Sequence, residues 1–238
     1  MRIIPAIDLI DGKCVRLTQG DYDQKKIYHE DPLEVARSFE AAGIHYLHLV
    51  DLDGAKAGKV TNWNVVEAIT ANTSLAVDFG GGIKTQTEIE RLLTLGVKQV
   101  NLGSIAVKQP DLVAGWIDSF GADKIILSAD AKNEKIAIAG WQEDSSIGLE
   151  DFIEDYVAKG IEYITCTDIS TDGMLTGPNT ALYKKLLTRF PNIKLIASGG
   201  VSGLADLVSL RETRVNGVII GKAIYEGRVT LNELSTLA

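Results

Sequence analysis

The feature that most constrains this chain is an internal repeat. Asp78-Phe79-Gly80-Gly81-Gly82-Ile83 in the first half is answered by Ile196-Ala197-Ser198-Gly199-Gly200-Val201 in the second, and Asn101-Leu102-Gly103-Ser104 by Ile219-Ile220-Gly221-Lys222. Gly81 to Gly199 and Gly103 to Gly221 are each 118 positions apart. In each half an apolar run ends in glycines and a helix-like stretch follows, which is how a backbone exposes N–H groups to a phosphate. Gly81, Gly82, Gly103 and Ser104 are the candidate phosphate cradle of one half, with Lys84 beside them; Gly199, Gly200, Gly221 and Lys222 are that of the other. Two cradles predict a ligand with a phosphate at each end. No P-loop or dinucleotide glycine fingerprint follows the first strand, so nucleoside triphosphates and dinucleotide cofactors are not expected.

Apolar runs at 2–7, 45–50, 74–79, 97–102, 124–129, 161–166, 193–197 and 215–220 are hydrophobic on both faces, as buried parallel strands are. Mixed stretches at 32–42, 62–71, 85–95, 110–119, 148–159, 179–189, 203–210 and 230–237 read as helices between them. Asp31-Pro32 has the form of a helix cap followed by proline at the first helical position. Eight such units in 238 residues predict an α/β fold, one (β/α)8 TIM barrel. None of the runs reads as a polar edge, which argues against an open doubly wound sheet. The repeat divides that single domain, 1–238, into similar halves at about 1–121 and 122–238.

The repeat also carries acids at the strand ends, where barrel enzymes place their chemistry. Asp8 follows the first run and Asp130 the fifth, 122 positions apart. Strands one and five are opposite in an eight-stranded barrel, so the two carboxyl groups flank whatever lies in the mouth. Apolar neighbours raise the pKa of such a group toward the range of a general acid or base. One acid then removes a proton while the other gives one. The structural alternative is that each caps the following loop. Asp51 and Asp53 after the second run, and Asp168 and Asp172 after the sixth, are placed to hold loops or to meet substrate hydroxyls. Thr167 is placed to donate to a substrate oxygen or a catalytic carboxylate, or is an ordinary β-branched strand residue, and His48 either orients a substrate or packs as a strand histidine. His29 and His45 read as structural or exposed.

The loop from Leu9 to Asp31 and the loop after the fifth run are long and resemble lids. The first carries Arg16, which suits a phosphate or carboxylate. The second turns at Lys132-Asn133-Glu134-Lys135 and ends in Gly140-Trp141-Gln142, with Trp141 available to stack on a flat heterocycle or to pin its own loop.

The formal charge is −8 without a basic block, so nucleic acid is not an expected partner. No uncharged apolar run is long enough to span a membrane, and the first acid comes too early for a signal peptide. Cys14 and Cys166 have no metal-like or CxxC spacing, which points to a reducing compartment, and no histidine cluster suggests a metal. The expected protein is cytoplasmic and monomeric, has no metal site and no nucleotide cofactor, and binds a small bisphosphate.

Ile4-Pro5-Ala6-Ile7-Asp8-Leu9, Gly12-Lys13-Cys14-Val15-Arg16-Leu17 and Gln19-Gly20-Asp21-Tyr22 resemble the histidine-biosynthesis isomerase family. So do His48-Leu49-Val50-Asp51-Leu52-Asp53-Gly54-Ala55, Gly80-Gly81-Gly82-Ile83, Gly140-Trp141, Thr167-Asp168-Ile169-Ser170-Thr171-Asp172-Gly173 and Ser198-Gly199-Gly200-Val201. The resemblance covers nearly the whole chain. It implies a barrel of two half-barrels and a cofactor-free Amadori rearrangement of an aminoaldose bisphosphate to an aminoketose. It further implies Asp8 as general base, Asp130 as general acid and Thr167 in support, with Arg16, His48, Trp141 and Asp172 on the substrate. Two positions depart from the family pattern. Lys84 stands where arginine is usual, keeping charge but losing the planar fork, and Met174 stands where threonine is usual. The related cyclase, an isomerase that also takes phosphoribosylanthranilate, and a non-catalytic phospholigand-binding barrel are the alternatives.

Overall fold

The computed structural model describes residues 1–18, 21–138, 140–141 and 143–237, with only the backbone of Thr18, Asp21, Asp23, Glu143 and Asp144. Gln19, Gly20 and Gln142 of the motifs above lie outside the described residues. In chain order the strands are β1 (Arg2–Ile10), β2 (Lys13–Thr18), β3 (Asp21–His29), β4 (Tyr46–Asp51), β5 (Ala76–Gly80), β6 (Gln99–Leu102), β7 (Ile125–Lys132), β8 (Lys135–Ile138), β9 (Glu143–Gly148), β10 (Tyr163–Asp168), β11 (Lys194–Ser198) and β12 (Gly217–Ile220). The helices are α1 (Pro32–Ala41), α2 (Leu52–Ala57), α3 (Trp63–Asn72), α4 (Gln86–Thr94), α5 (Ser104–Lys108), α6 (Pro110–Phe120), α7 (Leu149–Ala158), α8 (Thr180–Arg189), α9 (Leu204–Glu212), α10 (Lys222–Tyr225) and α11 (Leu231–Ser235).

Strands β1, β4, β5, β6, β7, β10, β11 and β12 pair in parallel in that order, and β12 returns to β1. The eight sequence-predicted strands are these eight, closed into a (β/α)8 barrel. Every expected helix is present. The short helices α2, α5 and α10 are additions, too brief to leave a periodic apolar pattern in the sequence. At α1 the expected start is observed: Asp31 accepts from the Leu33 amide at 2.9 Å, with Pro32 the first helical residue.

Apolar strand residues face two ways, which is why the runs lack alternation. Ile7, Leu9, Leu49, Phe79 and Leu127 pack outward on the helices. Ile4, Ala6, Ile126, Tyr163, Ile196 and Ile219 fill the lower barrel interior. Arg2 closes the floor, donating to Gln99 Oε1 at 3.1 Å and Tyr163 Oη at 2.9 Å while stacked on Tyr46 and Tyr163. The interior is thus shut at the bottom and open at the C-terminal mouth.

The first long loop is mostly strand. β1 runs past Asp8 to Ile10, turns at Asp11-Gly12 and pairs antiparallel with β2, which pairs with β3. β7 likewise passes Asp130 and forms a hairpin with β8 across the predicted turn, where Asn133 and Glu134 have positive φ. Both acids therefore sit inside strands that rise above the barrel rim.

Candidate active site

One cavity of about 260 Å³ occupies the mouth, lined by Asp8, Arg16, His48, Gly81, Gly82, Gly103, Ser104, Asp130, Trp141, Thr167, Asp172, Gly199, Gly200, Gly221 and Lys222; of the other acids considered, Asp51, Asp53 and Asp168 do not line it. Asp8 on β1 and Asp130 on β7 share it across the barrel axis. Their surroundings differ. Asp8 forms an ion pair with Arg16 Nη1 at 2.6 Å, both side chains being about 15% exposed. The hairpin makes this pair, because β1–β2 register sets Asp8 opposite Val15, beside Arg16. Arg16 Nη2 also donates to the Ala6 carbonyl at 3.1 Å. Its guanidinium covers Gly221, where an added Cβ would lie 1.9 Å from Nη2.

Asp130 faces no such cation at contact distance. It accepts from Trp141 Nε1 at 2.9 Å and from the Thr167 side chain, its register partner on β10. Burial pushes its carboxyl above the usual aspartate value, against the opposing pull of those two hydrogen bonds and of the His48 charge. The Trp141 ring is thus joined to Asp130 through its N–H. Asp172 is also raised, to about 6, chiefly by desolvation, with Asp8 and Asp130 adding repulsion and Arg16 and Lys222 opposing. Lys222 Nζ donates to the Gly173 carbonyl at 2.7 Å and so ties the second cradle to the loop that carries Asp172.

His48 Nδ1 is hydrogen-bonded to Asp78. Burial favours neutral His48, but the Asp78 charge, that hydrogen bond and Asp8 outweigh it, and the imidazole pKa lies above the ordinary value. Asp78 is the residue that the sequence reading passed over as a site candidate. It lies in an apolar run, and its only signal is that Ile196 stands at its place in the second half.

The two glycine segments have matching geometry. Gly103 and Gly221 share a bend (φ −106°, ψ −92° and φ −114°, ψ −94°) leading into α5 and α10. Gly82 and Gly200 have positive φ and lie so close to the Lys59 and Gly177 carbonyls that a Cβ would come within 2.5 and 2.3 Å. Only glycine fits this approach. Burial and nearby Lys108 lower the Lys84 pKa at the first cradle, whereas Met174 is exposed.

Asp51 and Asp168 hold loops. Fully buried Asp51 accepts from the amides of Gly54, Thr61 and Asn62 and from the side chains of Thr61 and Asn62. Asp168 accepts from the Ser170 amide and hydroxyl and from Asn179 Nδ2. Asp53 joins the β1–β2 turn to this region through the Asp11 amide at 2.8 Å. Cys14 and Cys166 are free, buried thiols; desolvation pushes Cys14 up to about 12 and Cys166 higher. His45 is exposed. Among the described residues, no cluster of three His, Cys, Asp or Glu could hold a metal ion, and no helix is long and apolar enough to cross a membrane.

The model of a family described as histidine biosynthesis protein matches residues 2–230. The chain belongs to that family. The chain is similar to a Flavobacterium johnsoniae protein named 1-(5-phosphoribosyl)-5-((5-phosphoribosylamino)methylideneamino)imidazole-4-carboxamide isomerase, 57% identical over 234 residues and 98% of both chains. Proteins of the same name from Bacteroides thetaiotaomicron, 54% identical over 98% of both chains, and Cytophaga hutchinsonii, 52% identical over 99% of this chain and 98% of the relative, are similar to the same extent.

Proposed function

We propose that this chain is an intramolecular aldose–ketose isomerase of histidine biosynthesis. It converts the aminoaldose bisphosphate that its relatives are named for to the aminoketose. The observation that carries the reading is that two carboxyl groups of unlike surroundings flank one cavity with a glycine cradle on each side. Family membership supplies the substrate class.

In this reading Asp130 acts first. Its raised pKa favours the neutral carboxyl, and it protonates the furanose ring oxygen as the C1′–O bond breaks and the nitrogen lone pair forms a C1′=N iminium. Asp8 takes the C2′ proton, and the electron pair left behind forms the enolamine. Protonation at C1′ and loss of the enol proton give the ketone, so no atom is gained or lost overall. The iminium is the electron sink, which makes a metal or pyridoxal group unnecessary. Thr167 and Trp141 hold Asp130, and His48 and Asp172 contact the sugar. Amides of the Gly81–Gly82 and Gly103–Ser104 segments, and of the Gly199–Gly200 and Gly221–Lys222 segments, hold the two phosphates, so binding energy away from the reacting carbons sets the sugar between the acids. Arg16, lying over Gly221, passes from Asp8 to the arriving phosphate and leaves Asp8 free to act. The chain works in the cytoplasm as a monomer, without a metal, nucleic acid or membrane partner, and its halves at about 1–121 and 122–238 are repeats of one unit.

The test is incubation with the aminoaldose bisphosphate and spectroscopic detection of the ketose. Asp8→Asn and Asp130→Asn each abolish turnover and leave bisphosphate binding measurable. Near-wild-type turnover in either variant removes its assigned role. Ammonia-dependent cyclisation, or isomerisation of phosphoribosylanthranilate, would instead identify the cyclase or the dual-substrate enzyme.

A further inference from the structure

Asp78 does not touch the reacting region in the mechanism above, yet it is a carboxylate 7% exposed inside a barrel. It binds His48 Nδ1 on β4 and accepts from Asn101 Nδ2 on β6. Asn101 Oδ1 in turn accepts from Ser128 at 3.3 Å and Thr165 at 3.4 Å, so a polar network crosses the interior from β4 to β10. The second half shows that the fold does not require it. Register pairs His48 with Asp78 and Gly80 with Asn101; the matching pairs are Thr165 with Ile196 and Ser198 with Ile219. At the same level of the same barrel, the second half fills the Asp78 and Asn101 positions with isoleucine. A buried carboxylate is costly where an apolar side chain serves, so its presence in one half only marks a chemical task.

We propose that Asp78 is a positioning residue for isomerisation: it fixes the His48 ring by its Nδ1–H and leaves Nε2 to the cavity between Asp8 and Asp130. This inference rests on the proposed function for the identity of the reaction. With both nitrogens protonated, His48 presents a donor and a positive charge to the sugar oxygen that becomes the enol and then the carbonyl. The charged groups that face His48 are Asp78 on β5, Asp8 on β1, Arg16 on β2 and Asp130 on β7. Three of the four are acids, and Asp78 alone among them is bonded to the ring.

The near-isosteric Asp78→Asn tests this in the full chain. The protein has three histidines, so NMR titration follows His48 with His29 and His45 as internal controls. The His48 midpoint falls by at least about one pH unit and the other two stay in place. In the same variant kcat falls about 10- to 100-fold, while KM changes by less than about twofold. An unmoved His48 titration, or unchanged kcat, overturns the proposal. Should Asp78→Asn fail to fold, the paired variant Asp78→Ile with Asn101→Ile copies the second half. Folded with kcat lost, it supports the proposal; folded with full kcat, it refutes it. If the wild-type chain does not isomerise the aminoaldose, the reaction assignment fails, while the titration still reports whether Asp78 controls His48.

Discussion

Replacing Asp51 by alanine removes the most heavily used acceptor in the first half. Its carboxylate takes three backbone N–H groups, from Gly54 at 2.7 Å, Thr61 at 2.7 Å and Asn62 at 3.0 Å, plus the Thr61 hydroxyl and the Asn62 amide at 2.6 Å. Thr61 is exposed and Asn62 half-buried, so water repairs much of their loss; Gly54 is buried and is not repaired. A buried donor left unpaired costs about 1–3 kcal/mol, and the lost charge-assisted bonds bring the total to about 3–5 kcal/mol. At about 2–4 °C per kcal/mol for a chain of this size, the melting temperature drops by roughly 6–20 °C. Asp168→Ala is the internal control. Asp168 occupies the corresponding place, but among the described residues its carboxylate binds only exposed Ser170 and half-buried Asn179, so its loss costs about 1–2 kcal/mol. Urea denaturation measures both, with the midpoint falling at constant m. Because the Lys59 carbonyl packs on Gly82, Asp51→Ala also raises KM through the first cradle. Equal losses for the two variants, or a loss below about 1 kcal/mol for Asp51→Ala, would refute the claim that buried backbone donors decide the magnitude.

Two further perturbations read the acids. Trp141→Phe removes a hydrogen bond that lowers the Asp130 pKa; the acid form then persists to higher pH, and the alkaline edge of kcat/KM moves up by as much as about one unit. An edge that moves down contradicts Asp130 as the proton donor. Asp172 has a folded pKa of about 6, above its unfolded value near 4. The native state therefore binds more protons in that window, and this group's contribution to stability falls as pH rises from about 4 to 6. Asp172→Asn removes that slope, which chemical denaturation at a series of pH values measures; an unchanged difference between variant and wild type across the window rejects the shift.

The eight strands were readable because each is buried on both faces, and the helices because periodicity and caps such as Asp31-Pro32 mark them. β2 and β3 were not, since in this hairpin above the rim only β2 carries buried apolar residues, Cys14, Val15 and Leu17, while β3 carries exposed Lys25 and Lys26. Asp8, Asp130 and Thr167 could be placed at the mouth from the ends of apolar runs alone. The ion pair between Asp8 and Arg16 could not, because it depends on where β1 turns and on the register of β1 with β2. Asp78 was hidden for a related reason: its partners His48 and Asn101 are 30 and 23 positions away, and only the register of β4, β5 and β6 brings them together.

Periodicity and repetition are local properties of the chain, so the residue order alone determined a closed barrel, two glycine cradles and a mouth lined with acids. Which acid is paired with a cation and which is buried against an indole was decided by long-range register, because desolvation and Coulomb interaction depend on separation in space and not along the chain.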